Sequence, residues 1–257
     1  MNKDIVVSPA KSKIEARNAI VILTLKEDHL NYYELLSLDD PKFVSQALQI
    51  NKEFQKALLP VGNSLKFDVL LAKEIISNNP KVGVIGFTDL VLEQSSNTIS
   101  SMVERVLTLL KNVIHVPLKN VTEKVLRVAI QNTFANLHKQ EKDEWIFWEK
   151  TETNKTTYQY NMLFTFQSSE TGNFLYSIAM GVEVSINLEK GKVLCLTLND
   201  KERYNVRLQT LSTIEYINQE QFISRNIQPI FGIQINSDKA AKQLIKTIRE
   251  REPIRVV

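Results

Sequence analysis

Residues 174–188 alternate without a break between apolar side chains and side chains that are mostly small or polar. Every even position is apolar: Phe174, Tyr176, Ile178, Met180, Val182, Val184, Ile186 and Leu188. A period of two predicts a β-strand with one apolar face. About 9–11 tilted residues are enough for a strand to cross a bilayer, whereas ordinary strands have about five or six. This stretch therefore favours a pore-forming protein over an enzyme.

A second strand of the same kind is predicted over residues 157–167. Its apolar row consists of Tyr158, Tyr160, Met162, Phe164 and Phe166. The connection to residues 174–188 is short and contains Thr171-Gly172, which predicts antiparallel neighbours. We therefore expect the two strands to enter a bilayer as a hairpin with both apolar rows facing lipid. Glu183 lies on the opposite parity and is expected to face water or the lumen of a pore.

Other strands are predicted from their β-branched and aromatic content over 18–25, 145–151, 193–198 and 204–211. Residues 189–191 resemble a tight hairpin turn. The aromatic run 145–148 is typical of a strand with large side chains on both faces, and also of a segment at a membrane interface, where tryptophan is enriched. Residues 174–188 are expected to form the long central strand of the resulting sheet.

Helical periodicity dominates the first half of the chain. Helices are predicted over 41–60, 65–77, 99–115 and 120–140, and Ser237 is expected to cap a basic amphipathic helix that runs to Arg251. Residues 83–94, which begin with Gly83 and Gly86, are predicted to be a mobile connection. The sequence thus predicts an α+β fold: a single domain in which a central antiparallel β-sheet is wrapped by layers of α-helices.

Charge divides the chain into three parts. The net charge of +3 is too small to indicate nucleic-acid binding, and residues 237–257 hold six cations and three anions, which is the whole excess. We expect a leader over 1–17, one domain over 18–236, and a basic tail over 237–257 that restrains the protein until proteases remove both ends. Two other roles of the tail remain possible on the sequence alone: it could only aid solubility, or it could be attracted to anionic lipid.

Residues with catalytic or metal-binding chemistry are few. His29, His115 and His138 form no ligand pattern, the single Cys195 is expected to be buried in a strand, and no nucleophile motif or glycine-rich loop occurs. We expect no enzyme, no cofactor and no metal. No apolar run has the ~18 residues of a membrane helix, and the start of the chain has no signal-peptide pattern. The protein is therefore expected to be made in the cytoplasm.

Several short segments carry a resemblance to a known family. They are Gln46-Ala-Leu48, Phe54-Gln55, Phe134-Ala-Asn-Leu137, Glu144-Trp-Ile-Phe-Trp148, Tyr160-Asn-Met-Leu-Phe164, Thr171-Gly172, Val182-Glu-Val-Ser185 and Tyr204-Asn-Val206. In this order, over about residues 18–215, they resemble the Cyt (cytolytic) delta-endotoxins of insect-pathogenic bacilli.

The resemblance implies a single domain with a helix-wrapped antiparallel sheet. It implies a protoxin that is stored in soluble or crystalline form, is often dimeric through its N-terminal segment, and is trimmed at both ends by activating proteases. Its partners would be membrane phospholipids, which it binds directly, and further copies of itself. The oligomer would then perforate or disrupt the membrane of a target cell without an enzymatic step.

Two alternatives remain on the sequence alone. One is an intracellular carrier of a lipid or another apolar ligand, held in a cavity between the sheet and the helices. The other is a hydrolase with an unrecognised site. A pore and a detergent-like action at the membrane surface are also both compatible with the strand pattern.

Overall fold

A long antiparallel sheet lies at the centre of the protein, with helices on both of its faces. The computed structural model describes residues 17–22, 32–36, 41–94, 97–115, 118, 120–142, 146–167, 174–217 and 237–257. The strands are β1 Arg17–Ile22, β2 Tyr32–Leu36, β3 Leu58–Val61, β4 Ser64–Phe67, β5 Val82–Gln94, β6 Phe147–Glu152, β7 Lys155–Gln167, β8 Phe174–Ile186, β9 Tyr204–Tyr216 and β10 Ile254–Arg255. The helices are α1 Pro41–Gln55, α2 Val69–Ser77, α3 Ile99–Ile114, α4 Asn120–Phe134, α5 Leu137–Lys142, α6 Lys190–Leu194 and α7 Asp238–Glu250.

The strands of the main sheet follow the order β10-β5-β9-β8-β7-β1-β2, and β6 pairs with β7 on the edge that β7 also presents to β1. All of these pairs are antiparallel except β10 with β5. β8 is thirteen residues long and pairs along its whole length with β7 or β9. The expected α+β fold and the long central strand are therefore confirmed.

One layer of helices covers the apolar face of this sheet. α3 buries eight apolar side chains along one stripe, begins at Thr98, whose side chain accepts from the Ser101 N–H, and ends at His115 in the left-handed conformation. α4 and α7 pack into the same core. The α7 cap is as expected, because the Ser237 hydroxyl accepts from the Ala240 N–H at 3.2 Å.

The second layer consists of α1, α2 and the two-stranded hairpin β3–β4. A helix starting at residue 65 was expected here and is wrong. Residues 64–67 form β4, and the helix begins only after Asp68, whose carboxylate accepts from the Leu70 and Leu71 N–H groups at 3.0 Å. Pro60 is accommodated in β3, where a short edge strand tolerates proline.

The expectation of a mobile connection at 83–94 is also wrong, because these residues belong to β5, which pairs along its length with β9. The glycines serve close packing. A Cβ at Gly83 would lie 2.7 Å from the Ile248 side chain, and one at Gly86 would lie 2.9 Å from the Val113 carbonyl oxygen. They let α7 and α3 approach the strand, so here glycine indicates close contact rather than mobility.

Two further predictions fail because of local turns. The helix expected over 120–140 breaks into α4 and α5 at Asn136, which adopts a φ of 59°. The expected tight turn at 189–191 and strand at 193–198 are replaced by α6 and a loop, and Cys195 is exposed rather than buried.

Some predictions fall partly or wholly beyond what the structure describes. The leader over 1–17 lies outside it apart from Arg17, and so do residues 23–25 of the first predicted strand and the Trp145 end of another. The other long strand predictions are confirmed, since β7 and β9 contain residues 157–167 and 204–211.

Candidate functional site

The two apolar rows predicted from the sequence lie side by side on one face of β7 and β8. In the register of the hairpin, Phe164 faces Ile178, Met162 faces Met180, and Tyr160 faces Val182. All twelve side chains of the two rows are at most 2% exposed; they are Tyr158, Tyr160, Met162, Phe164, Phe166, Phe174, Tyr176, Ile178, Met180, Val182, Val184 and Ile186. The face is a continuous apolar surface about thirteen residues long.

This surface is covered within one apolar core that it shares with α3, α4, α5, α6 and α7. α4 and α6 pack on β7, whereas α3 and α7 pack mainly on β5 and β9. Two tyrosine hydroxyls add polar contacts. Tyr158 donates to the Thr133 carbonyl oxygen of α4 at 2.8 Å, and Tyr160 donates to Gln140 Oε1 of α5 at 3.3 Å. Burial raises the pKa of Tyr158, so this phenol stays neutral. Non-directional packing therefore dominates the attachment of this cover.

The opposite face of the same strands is mostly buried too, although its side chains are mixed. It carries Thr157, Gln159, Asn161, Leu163, Thr165, Ser177, Ala179, Gly181, Glu183 and Ser185. The apolar members Leu163 and Ala179 pack with Leu211 of β9 against α1, α2 and the β3–β4 hairpin. Polar and small members lie beneath β4 and at the ends of the strands.

A charged cluster fastens the β3–β4 hairpin to this mixed face. Lys66 Nζ of β4 lies 3.0 Å from Glu183 Oε2 of β8 and 3.2 Å from Glu149 Oε1 of β6. Gln159 Nε2 of β7 donates to the same Glu183 oxygen at 2.9 Å. Burial alone would raise the pKa of Glu183, but the Gln159 and Lys66 hydrogen bonds and the Lys66 charge outweigh it and lower the pKa.

The pKa of Lys66 shifts in the complementary direction. Burial would lower it, but the hydrogen bonds and charges of Glu183 and Glu149 together raise the pKa. Each side chain in the cluster keeps about a third or less of its surface exposed. Glu183, which was expected to face water or a lumen, is thus half-buried and ion-paired in this state of the protein.

Two contacts without charge place β4 tightly on the sheet. Asn161 Nδ2 donates to the Leu65 carbonyl oxygen at 2.9 Å, and the Asn161 side chain is fully buried. Gly181 lies directly beneath Phe67, so that an added Cβ would lie 2.6 Å from the Phe67 Cβ. The absence of a side chain at residue 181 therefore lets the hairpin reach the sheet.

Sequence reasoning missed most of this cluster. Lys66 and Glu183 are 117 residues apart, and no local pattern connects them. Gln159 and Asn161 gave a usable signal, since they occupy the polar parity of a strand whose other parity is apolar. Arg207 of β9 continues the polar band, and it forms a two-pronged pair with Asp89 of β5 at 3.0 Å for each bond.

A metal centre and a membrane-spanning helix are both missing from the described residues. Within the described part of the chain, no group of three His, Cys, Asp or Glu side chains is placed to hold a metal ion. No helix among the described residues is long and apolar enough to span a membrane. The best-formed pockets are lined largely by partly or fully exposed side chains rather than by the buried rows of the sheet.

Comparison with known proteins gives consistent matches. The model of the family described as Bacillus thuringiensis toxin matches residues 10–248. The type-1Aa cytolytic delta-endotoxin of Bacillus thuringiensis subsp. morrisoni is 34% identical over 217 residues, which are 81% of this chain and 86% of that protein. The structure of the activated Cyt2Ba monomer from Bacillus thuringiensis subsp. israelensis matches at 26% identity with a TM-score of 0.66, covering 70% of this chain and 95% of that one. A second delta-endotoxin structure matches at 27% identity with a TM-score of 0.69, covering 87% and 94%.

The helix-wrapped sheet and these matches together define the class of protein as a toxin. The chain belongs to the Cyt family of cytolytic delta-endotoxins, whose family model covers most of its length. The resemblance predicted from the sequence is confirmed.

Proposed function

We propose that this toxin kills target cells by permeabilising their membranes, and that the β7–β8 hairpin is the part that enters the bilayer. The observation that carries the proposal is the row of twelve buried apolar side chains on one face of the hairpin. In water, this face is buried in the apolar core that it shares with α3, α4, α5, α6 and α7. At a membrane, lipid tails replace the helices at a similar gain, about 25 cal/mol per Å² of apolar surface.

The backbone requires that several copies act together. A hairpin alone in lipid would leave edge N–H and C=O groups without partners, at a cost of several kcal/mol each. A closed ring of hairpins from several copies pairs these groups. The mixed face, with Gln159, Asn161 and Glu183, would then line a water-filled lumen once the β3–β4 hairpin has left it. Direct binding of phospholipid, oligomerisation and a pore therefore belong to one proposal.

The protein is proposed to be made in the bacterial cytoplasm as an inactive protoxin, in solution or in crystalline inclusions, and activated by proteases. The similarity to the activated Cyt2Ba monomer supports this part. Proteases that trim the ends would loosen the covering layers. The proposal needs no catalytic step, no cofactor and no nucleic acid.

Dye release from liposomes tests the proposal. The protein, before and after mild proteolysis, is added to protein-free vesicles of zwitterionic lipid and of a mixture with anionic lipid. We expect proteolysed protein to release a small dye faster than a larger labelled dextran. The reason is that a pore passes small solutes more readily than large ones. Folded, processed protein that releases no dye from either kind of vesicle would contradict the proposal.

The apolar-ligand carrier remains the second candidate and makes the opposite prediction. A carrier would extract a labelled lipid one to one and leave the vesicles intact. The dense packing of the twelve side chains favours the toxin, because a carrier needs an open cavity between sheet and helices.

A further inference from the structure

A carboxyl group is buried between β9 and the second layer, away from the twelve apolar side chains. Glu215 lies near the end of β9 and is 7% exposed. It shares its face of the sheet with Leu211, which packs against α1 and α2. Its neighbours on the adjacent strands are Val82 and Leu175, which are apolar. Glutamate is almost never buried to this extent unless it is paired or hydrogen-bonded.

Gln46 of α1 is the hydrogen-bond partner of Glu215. Its Nε2–H group donates to the carboxyl group, whereas its Oε1 is buried and has no partner among the described residues. Because Oε1 and Nε2 are bonded to the same carbon, Oε1 lies beside the same carboxyl group. An ionised Glu215 has only acceptors and would meet Oε1 as acceptor against acceptor. A protonated Glu215 donates its O–H to Oε1, and two hydrogen bonds then join the side chains.

The charge of Lys81 favours the ionised form, but it is not sufficient. Lys81 lies in the turn before β5, and its side chain is exposed, so solvent screens its charge. Burial raises the pKa of Glu215, and the Gln46 hydrogen bond and the Lys81 charge offset only part of that rise. The protonated form therefore suits both the burial of Glu215 and the unpaired Gln46 oxygen.

Other charged groups on the neighbouring helices have solvent or other partners around them. Within the described residues they include Glu53 on α1, Lys73 and Glu74 on α2, and Lys242, Lys246 and Arg249 on α7. Glu53 pairs with Lys56, Lys73 lies over the Phe87 ring, and Arg249 donates to two backbone carbonyl oxygens. The others are exposed. The immediate polar surroundings of Glu215 are therefore Gln46 and Lys81.

We propose that Glu215 and Gln46 form a proton-dependent latch that holds α1 on the sheet. With the proton present, two hydrogen bonds join α1 to β9. Loss of the proton removes one bond and sets two acceptors against each other, so α1 is loosened. The consequence for lysis rests on the proposed function, in which the second layer must leave the mixed face. Loss of the proton should then speed permeabilisation.

The direction of the pH dependence follows from the raised pKa of Glu215. Its contribution to stability is complete below the ordinary value of 4.5 and is lost as the pH rises through the raised value. The Lys66–Glu183 pair requires an ionised carboxylate instead. The two attachments of the second layer therefore respond to pH in opposite directions, and a rise from acidic pH releases α1 while the β3–β4 hairpin stays fastened.

Hydrogen exchange over residues 41–55, corrected for the intrinsic rate at each pH, tests the latch without any vesicle. A helix of fifteen residues is marginal alone in water, so α1 exchanges its amide protons when it leaves the sheet. We expect opening of α1 to become about fivefold more frequent between pH 4.5 and about pH 9, which corresponds to about 1 kcal/mol. α3, whose buried stripe is apolar, should change less than twofold.

Three variants assign the effect to the pair. Glu215→Gln keeps a donor and an acceptor but has no proton to lose, so α1 should stay closed at every pH. Gln46→Leu removes the partner and should open α1 at every pH. Glu74→Gln, the control, removes an exposed carboxylate from α2 and should keep the normal pH dependence. Circular dichroism verifies that each variant is folded.

Dye release at the same pH values links the latch to permeabilisation. The normal protein should release dye faster at the higher pH, and Glu215→Gln should lose that increase. Opening of α1 that does not change with pH, or that changes equally in Glu215→Gln, would overturn the latch. An equal increase in α3 would show general destabilisation and would also overturn it. The latch would be supported, and the proposed function contradicted, if α1 opens as expected but no dye is released at any pH.

Discussion

The two faces of the β7–β8 hairpin are both buried, but different forces hold their covers. The face with the twelve apolar side chains is buried, mainly through dispersion and apolar burial, in the core that it shares with α3, α4, α5, α6 and α7. The opposite face meets the β3–β4 hairpin through the Lys66–Glu183 ion pair, the Asn161 hydrogen bond and the close fit at Gly181. Its few apolar side chains add contacts with the hairpin, α1 and α2. Lipid can replace an apolar cover, whereas water and ions can replace a polar one.

This difference assigns each face a separate environment in the proposed membrane state. The apolar face loses little when helices are exchanged for lipid tails. The polar groups of the mixed face lose little when β4 is exchanged for a wet lumen, since they are then hydrated, and only the few apolar members, such as Leu163 and Ala179, lose burial. A strand with two apolar faces would expose one of them to water in the lumen, and a strand with two polar faces would expose one of them to lipid.

The largest effect is expected for a charge in the middle of the apolar face. Ile178→Lys should abolish dye release, because a lysine at mid-depth on the lipid side of a barrel costs about 2–4 kcal/mol for each copy. Two controls apply. Ser185→Lys puts the same charge on the other face and should keep at least half the activity. Ile178→Ala removes packing without adding charge and should remain lytic.

Only folded protein is informative here, since Ile178 is 1% exposed in water. Near-ultraviolet circular dichroism of each variant verifies the fold before vesicles are added. A folded Ile178→Lys protein that leaks dye at the normal rate would show that residue 178 does not meet lipid.

Removal of the C-terminal tail should have the next largest effect. The tail had been expected to be a removable restraint, which stays a prediction, and in the structure it forms α7 with Leu244, Ile245 and Ile248 buried. Each large aliphatic side chain contributes about 1.5–3 kcal/mol. A chain ending at residue 236 should therefore melt at a lower temperature and release dye faster from zwitterionic vesicles.

On anionic vesicles at low salt this gain should shrink, because the excess positive charge of residues 237–257 is lost with the tail. Gly83→Ala is a milder version, since the new Cβ would lie 2.7 Å from the Ile248 side chain and loosen α7 without deleting it. Unchanged release rates for both variants on both lipids would leave the tail as a solubilising segment only.

Replacement of a glycine beneath the β3–β4 hairpin should have an intermediate effect. Gly181→Ala places a Cβ 2.6 Å from the Phe67 Cβ, and overpacking of this kind costs about 1–3 kcal/mol. We expect a lower melting temperature and faster dye release, because the hairpin is loosened. Gly191→Ala in α6 meets no atom within 4 Å and serves as the control. A similar fall in the melting temperature of both variants would show that close packing at residue 181 is unimportant.

The smallest effect is expected from the charged cluster, and it depends on pH. The pKa of Glu183 is lowered in the fold, so its contribution is complete above its ordinary value of 4.5 and is lost as the pH falls through the lowered value. Lys66 has a raised pKa and loses its contribution only as the pH rises above 10.5. Lys66→Met should cost about 1 kcal/mol or less near pH 7.

The difference in melting temperature between the normal protein and Lys66→Met should vanish as the pH is lowered well below 4.5. Glu183→Gln should remove most of that dependence. Glu215 acts in the opposite direction, because burial raises its pKa and favours its protonated form in the fold. A constant difference across the acidic range would mean that the ion pair does not hold the hairpin.

Period-two alternation predicted β7 and β8 well, because it reflects burial on one face regardless of what the partner is. The helix stripe of α3 was predictable for the same reason. β5 was not predicted from the sequence, because Gly83 and Gly86 suggested a mobile segment. In the structure, these glycines allow the close approach of Ile248 and Val113. The role of a glycine depends on which atoms pack against it, and those atoms are known only from the folded structure.

The candidate site also has one part that the sequence predicts and one part that it does not. The apolar rows could be listed from the sequence, and the structure brings them together. The partners of Glu183 could not, because Lys66 and Glu149 reach it from a hairpin and a strand that are distant in the chain. The β3–β4 hairpin was missed because residues 58–60 and 65–67 were assigned to the ends of two helices. Local propensity around Pro60 and Gly62 did not predict that a β-hairpin would pack on the sheet.

The central claim is that one face of β8 meets lipid and the other meets water. It is tested by single cysteines placed at residues 178, 182, 183 and 185 in a Cys195→Ser background and labelled with an environment-sensitive dye. Soluble protein and vesicle-bound protein are compared, with lipid-soluble and water-soluble quenchers. We predict that dyes at 178 and 182 are quenched only from the lipid, and dyes at 183 and 185 only from water. The same water-like signal at all four positions after dye release has occurred would contradict the account.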